Sequence, residues 1–185
     1  MKRKFRQGIV FILAILLSIT ATPMYLINAS VPSNSYNKNI YQAYSKLVLK
    51  DKNEYGDYPR FGCEDINGDK IPELFIFRNY YKNFIGGYDI YTYKNGKPQY
   101  VSKITGGSRI MYTSKMVICR NADGLTVYKW KSYKLVKDKR YVYSVKNPKK
   151  FANAVYKYVG KVVNVYSSKN KTKQLNYLKK CLKKY

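Results

Sequence analysis

The chain has 185 residues, 36 Lys and Arg against 10 Asp and Glu, a formal net charge of +26, and no His. That length suits a single domain. The missing His excludes Ser-His-Asp and Cys-His catalysis and His-ligated zinc.

Lys2, Arg3, Lys4 and Arg6 precede an apolar run from Gly8 to Thr22. The run is short for a membrane span, which needs about 20 apolar residues, and has the pattern of a signal peptide. Cleavage is expected after Ile27-Asn28-Ala29, giving a signal peptide over 1–29 and one domain over 30–185. An uncleaved anchor continuing through Met24–Ile27 is the alternative. Loss of the four leading bases leaves +22 on the mature chain.

Asn37 or Asn39 can cap a helix reaching about Lys52, with Ile40, Tyr41, Tyr44, Leu47 and Val48 along one face. Arg60–Cys63 and Leu74–Arg78 read as strands. Between them runs Asp65-Ile-Asn-Gly-Asp-Lys-Ile-Pro-Glu73. Oxygen-bearing side chains stand at the first, third, fifth and ninth places, a spacing with which short loops wrap calcium. Asp65, Asn67, Asp69 and Glu73 are the expected ligands, joined by the carbonyl of Ile71. The loop is not an EF-hand: the twelfth place is Ile76 and a strand follows instead of a helix. A metal-free turn rich in Asx residues is the competing reading.

The stretch "DINGDKIPEL", Asp65 to Leu74, resembles the "DxNGDGxPEL" loop of small exported proteins from low-GC Gram-positive bacteria, and is similar to the calcium loops of FG-GAP and integrin-type repeats. In the exported proteins a helix precedes the loop and a Tyr-rich hairpin follows, as Tyr91-Thr92-Tyr93-Lys94-Asn95-Gly96-Lys97 does here. The resemblance runs from about Tyr41 to Lys97. It implies export and a calcium loop, and no activity. One residue departs from the pattern: Lys70 stands where Gly is usual, bringing both a positive charge and a side chain to a place that favours φ > 0.

After a loop bearing Tyr80, Tyr81 and Phe84, hairpin turns are expected at Asn95-Gly96, Asn121–Gly124 and Asp138–Arg140. The strands Tyr88–Lys94, Pro98–Ile104, Met111–Arg120, Leu125–Lys131, Tyr133–Lys137 and Tyr141–Val145 then form one antiparallel meander. Leu125, Val127 and Val142 should share one face. Lysines and aromatics from Tyr128-Lys129-Trp130-Lys131 should share the other. Asn147-Pro148 opens a second helix that Gly160 ends; its apolar face is Phe151, Ala152, Val155, Tyr158 and Val159. Val162–Tyr166 reads as a short strand. A last helix begins near Asn170, with Leu175, Leu178, Cys181 and Leu182 facing its own sheet or, alternatively, an anionic surface. The expected class is α+β: an N-terminal helix, an antiparallel meander containing a strand–calcium-loop–strand unit, and two C-terminal helices over 146–185.

Cys63, Cys119 and Cys181 are an odd number, so they form no complete internal disulfide framework. Buried thiols are expected at Cys63 and Cys119, or a bridge between them. The charge is divided along the chain. Asp51 to Glu73 holds seven acids and three bases, whereas Leu74 to Tyr185 holds 26 bases and three acids. A domain that tolerates such self-repulsion is expected to have an anionic partner. Outside the cell this would be anionic cell-wall polymer or an anionic membrane surface; export argues against nucleic acid. Lys129, Trp130, Lys131 and Lys134 are the expected contact face. A neutral glycan stacked on Trp130 and exposed tyrosines is the first alternative, and an exported enzyme or inhibitor whose site the sequence does not show is the second. No constellation for catalysis is visible: Asp89, Asp123 and Asp138 are the only carboxylates beyond the loop.

Overall fold

The side-chain oxygen of Asn37 accepts from the amides of Asn39 and Ile40 and so starts helix α1, Lys38–Val48. This computed structural model describes residues 37–185, except 54, 80–85, 107–108, 122–123 and 144–145. The expected signal peptide and the aromatics Tyr80, Tyr81 and Phe84 lie outside the described residues. Four strands follow α1: β1 (Phe61–Glu64), β2 (Glu73–Asn79), β3 (Gly86–Lys94) and β4 (Lys97–Thr105). They pair antiparallel in sequence order. Asn95 and Gly96, at φ of 52° and 78°, make the expected tight turn between β3 and β4.

The chain does not continue that sheet, and the single meander expected from sequence is two sheets. Gly106, at φ 76°, leads out of β4. The strands β5 (Arg109–Thr113), β6 (Met116–Arg120), β7 (Gly124–Lys131), β8 (Lys134–Val142) and β9 (Lys161–Val162) form a second antiparallel sheet in the order β8-β7-β6-β5-β9. Met111–Arg120, expected as one strand, is the β5–β6 hairpin, turning at Ser114-Lys115 with Lys115 at φ 60°. The turn expected at Asp138–Arg140 lies inside β8. The β7–β8 turn is Ser132-Tyr133, at φ of 45° and 62°. Val127 pairs with Lys139 and Tyr128 with Lys137, so Asp138 is the extra residue of a bulge. Left-handed turn positions favour Gly, Asn and Asp. Ser, Tyr and Lys there leave no composition cue.

Helix α2, Pro148–Lys157, follows with Asn147 as its cap. It ends at Lys157, three residues before the expected Gly160. Gly160 is small for another reason: a Cβ there would stand 2.5 Å from the Tyr112 carbonyl oxygen of β5. The strand expected over Val162–Tyr166 shrinks to β9 and a separate bridge from Tyr166 to Phe61. Asn170 caps helix α3, Lys171–Leu182.

Alternation along the strands stacks these elements, because successive residues face opposite sides. Phe61, Cys63, Leu74 and Ile76 turn one face of the first sheet toward α1 and α3, where Ile40, Tyr44, Val48, Leu178, Cys181 and Leu182 complete a buried cluster. The last helix therefore docks on its own sheet. Phe75, Tyr88, Ile90 and Ile104 turn the other face toward Ile110, Val117 and Cys119 of the second sheet. On the far side of the second sheet, Ile118, Leu125 and Val127 meet Tyr158 and Phe151 of the α2 region. The order of layers is α1 and α3, first sheet, second sheet, α2. Val142, expected on this last apolar face, is 55% exposed.

Candidate functional site

The loop from Asp65 to Glu73 joins β1 to β2. Asp65 folds back as an Asx cap: its carboxylate accepts from the Gly68 amide at 2.8 Å and the Lys70 amide at 3.0 Å. Asn67 Oδ1 accepts from the Asp69 amide, and Asp69 Oδ1 accepts from the Ile71 amide, both at 2.8 Å. Short polar side chains bonding amides two to five residues on give the loop its tight curl. Gly68 sits at φ 81° and Lys70 at φ 66°.

Three other elements hold the loop. Tyr44 of α1 donates its hydroxyl to the Pro72 carbonyl at 3.0 Å. The Lys115 amide in the β5–β6 turn donates to the Ile66 carbonyl at 2.8 Å. From β3, Thr92 Oγ1 donates to Glu73 Oε1 at 3.1 Å. Glu73 is wholly buried. Its other contacts are the Ile66 amide at 2.9 Å and Asn67 Nδ2 at 3.1 Å, and the same Asn67 nitrogen also reaches Asp69 Oδ2 at 2.9 Å.

Every group touching Glu73 donates to it, yet none carries a full positive charge. Among the described residues no Lys or Arg is ion-paired with Asp65, Asp69 or Glu73; the charged pairs lie elsewhere, Arg78 with Asp51 and Asp89, and Lys129 with Asp138. Burial, with added push from Asp69 and Asp65, raises the Glu73 carboxyl to about 8, against the pull of the Ile66 amide and Thr92. Burial also raises Asp69. A buried carboxylate with negative neighbours and no cation is an expensive arrangement.

Asn67 links Asp69 to Glu73 through one nitrogen, while Asp65 accepts from the Gly68 and Lys70 amides of the same loop and Asp69 accepts from the Ile71 amide. Among the described residues no three Asp, Glu or Cys side chains are gathered closely enough to hold a metal by themselves. The oxygen set depends on Asn67 and a backbone carbonyl as well. These are hard oxygen donors of the kind calcium takes.

Sequence reading missed Glu64. It is the register partner of Glu73 across β1 and β2 and is also buried. Its Oε2 accepts from the Tyr112 hydroxyl at 2.7 Å and the Tyr185 hydroxyl at 2.8 Å. Burial first, and then this shared acceptor, raise both phenols above the usual range. The cue in the sequence was an acid immediately before the loop; its two tyrosine partners are 48 and 121 residues away.

The expected contact face divides. Lys131 and Lys134 are register partners and therefore share a face of the second sheet, with Lys129 two residues along. It is the same face that carries Leu125 and Val127 under α2. Lys129 is held by Asp138 at 3.2 Å. Trp130 does not join them. It projects to the opposite face with Leu135 and packs between the sheets. A strand alternates sides at every residue, so Lys-Trp-Lys cannot present all three side chains to one ligand.

No known protein family, characterised protein or solved structure matches the chain significantly.

Proposed function

We propose that the protein is an exported, calcium-stabilised binding protein whose basic second sheet and α2 hold anionic polymer or an anionic surface outside the cell. The observation that carries the calcium half is Glu73, buried among acids and donors with no cation paired to it. Asp65, Asn67, Asp69, the Ile71 carbonyl and Glu73 would hold the ion, in the strand–calcium-loop–strand unit expected from the sequence. Calcium supplies the missing positive charge and fixes the loop.

The polyanion half rests on where the bases lie. From Lys134 to Lys161 the sequence has nine bases and one acid. Eight of the nine belong to β8, α2 or β9, the ninth, Lys146, leads into α2, and every one of the nine is exposed. This stretch replaces the mixed Lys–Trp patch as the proposed contact, with Lys131 and Lys134 at one end. Binding by many lysines releases counterions, so affinity must fall steeply with salt. The test is co-sedimentation of the mature chain with anionic cell-wall polymer and with anionic vesicles, with and without EDTA, across a salt series. Binding at low salt that is largely lost by about 0.5 M, where screening is strong, supports the reading. A contrary reading has some footing in Tyr143 and Tyr156, which are 51% and 80% exposed. Salt-independent binding to a neutral glycan, abolished by Tyr156→Ala, would replace the polyanion by that ligand.

A further inference from the structure

Cys63 lies in β1 and Cys181 in the last turn of α3, and both are buried in the cluster between the first sheet and the helices. α3 packs directly on β1, and each of the two thiols perturbs the other. Cys119 is placed elsewhere: it belongs to the layer between the two sheets, on the other side of the first sheet from Cys63. The Cys63–Cys119 bridge allowed by sequence would have to pass through that sheet, and Cys63 and Cys181 are the pair the fold brings together.

We propose that Cys63 and Cys181 form an intramolecular disulfide that clasps α3 to β1. The surroundings of the two thiols set their roles. Cys181 is the attacking sulfur: the Cys63 hydrogen bond lowers its thiol against the effect of burial, assisted by the Tyr177 hydroxyl and Lys184. Cys63 keeps its proton, because burial pushes its thiol up. The thiolate is the nucleophile in exchange. Cys181 attacks a disulfide oxidant, expelling one thiolate and leaving a mixed disulfide. Cys63 then loses its proton and attacks the Cys181 sulfur, expelling the second thiolate. Two protein thiols are oxidised to one S–S bond, the oxidant disulfide is reduced to two thiols, and the two protons pass to those leaving groups. Cys119 takes no part; burial holds its thiol up at about 11.

A disulfide restricts the unfolded chain most when it closes a long loop, and this one would join residues from the two ends of the described fold. It does not depend on calcium or on any ligand. The test uses the full mature chain equilibrated with oxidised glutathione or with dithiothreitol, followed by alkylation, intact mass and non-reduced peptide mapping. The expected result is a product lighter by two hydrogens, a Cys63–Cys181 linked peptide, one alkylated thiol at Cys119, and a higher melting temperature than the reduced form. Cys119→Ser should behave the same way. Cys181→Ala, which removes one thiol from the cluster and leaves the β1 strand unaltered, should abolish both the linkage and the redox dependence of melting. Three alkylated cysteines after oxidising equilibration, a stable glutathione adduct in place of the linkage, or a linked peptide containing Cys119 would each overturn the proposal.

Discussion

Glu73 concentrates the tension in this molecule. Its folded-state carboxyl titrates near 8, against an ordinary value of 4.5. The native protein thus holds a proton that the unfolded chain has released over that interval, and stability must fall as pH rises through it. The contribution is complete below about pH 4.5 and gone above about 8. In EDTA the melting temperature should decline across this window. Glu73→Gln, which cannot ionise, should flatten the decline. On the proposed reading, calcium should reverse it by binding the ionised carboxylate. An equal decline in the Gln variant would place the titration elsewhere. Lys70 offers a second check. Its φ of 66° is costly for a side chain other than Gly, by roughly 1–2 kcal/mol. Lys70→Gly should raise metal-free stability by up to that amount and also tighten calcium binding, read as the calcium concentration that gives half the rise in melting temperature.

At the scale of elements, the local signals in the sequence carried far. Asn37, Asn147 and Asn170 each cap a helix, because an Asn side chain before an apolar periodic run satisfies amides the helix leaves open. Asn95-Gly96 marked its hairpin for an equally local reason. What failed were features whose cause lies far along the chain. Ser132-Tyr133 and Lys115 turn because neighbouring strands force them to. The division into two sheets depends on which faces meet. Glu64 finds its tyrosines only after folding. The four loop side chains were legible because their bonding is local; the Lys–Trp face was not, because adjacent strand residues were assigned to one side. Gly62 gives a test of such a distant cause. A Cβ there would collide with the Asn164 carbonyl oxygen and press on Val163. Gly62→Ala should destabilise the fold by about 1–3 kcal/mol, as overpacking does, measured by denaturant unfolding. A neutral result would mean that the segment between β9 and α3 yields freely.

For the whole molecule the governing quantity is charge. Of the 36 bases, 21 lie from Arg109 to the C-terminus, and the acids gather in the loop and around β1. Self-repulsion opposes the compact state and is screened within a Debye length of about 30 Å at 0.01 M and 8 Å at 0.15 M. Raising monovalent salt from 0.01 M to 0.15 M should therefore raise the melting temperature of the free protein, while weakening its hold on a polyanion. Stability and binding should move in opposite directions along one salt series. A melting temperature that falls along that series would show that attractive pairs, such as Arg78 with Asp89, dominate over repulsion.

β8 closes the second sheet on one side and, among the described residues, has no hydrogen-bonded strand beyond it. Its outer backbone groups are a template on which another chain could add a strand, and lysines are a common defence against such growth. Lys134, Lys137, Lys139 and Arg140, with the bulge at Asp138, fulfil that role here. A polyanion lying along β8 would neutralise the charges that keep two copies apart. Near the ratio at which ligand charge matches protein charge, the protein should begin to self-associate through this strand, and light scattering should peak there and subside when polymer is in excess. A bulky basic substitution such as Val136→Arg should lower that peak with little loss of binding. The surface that recruits the partner would then also decide whether captured molecules stay apart or assemble.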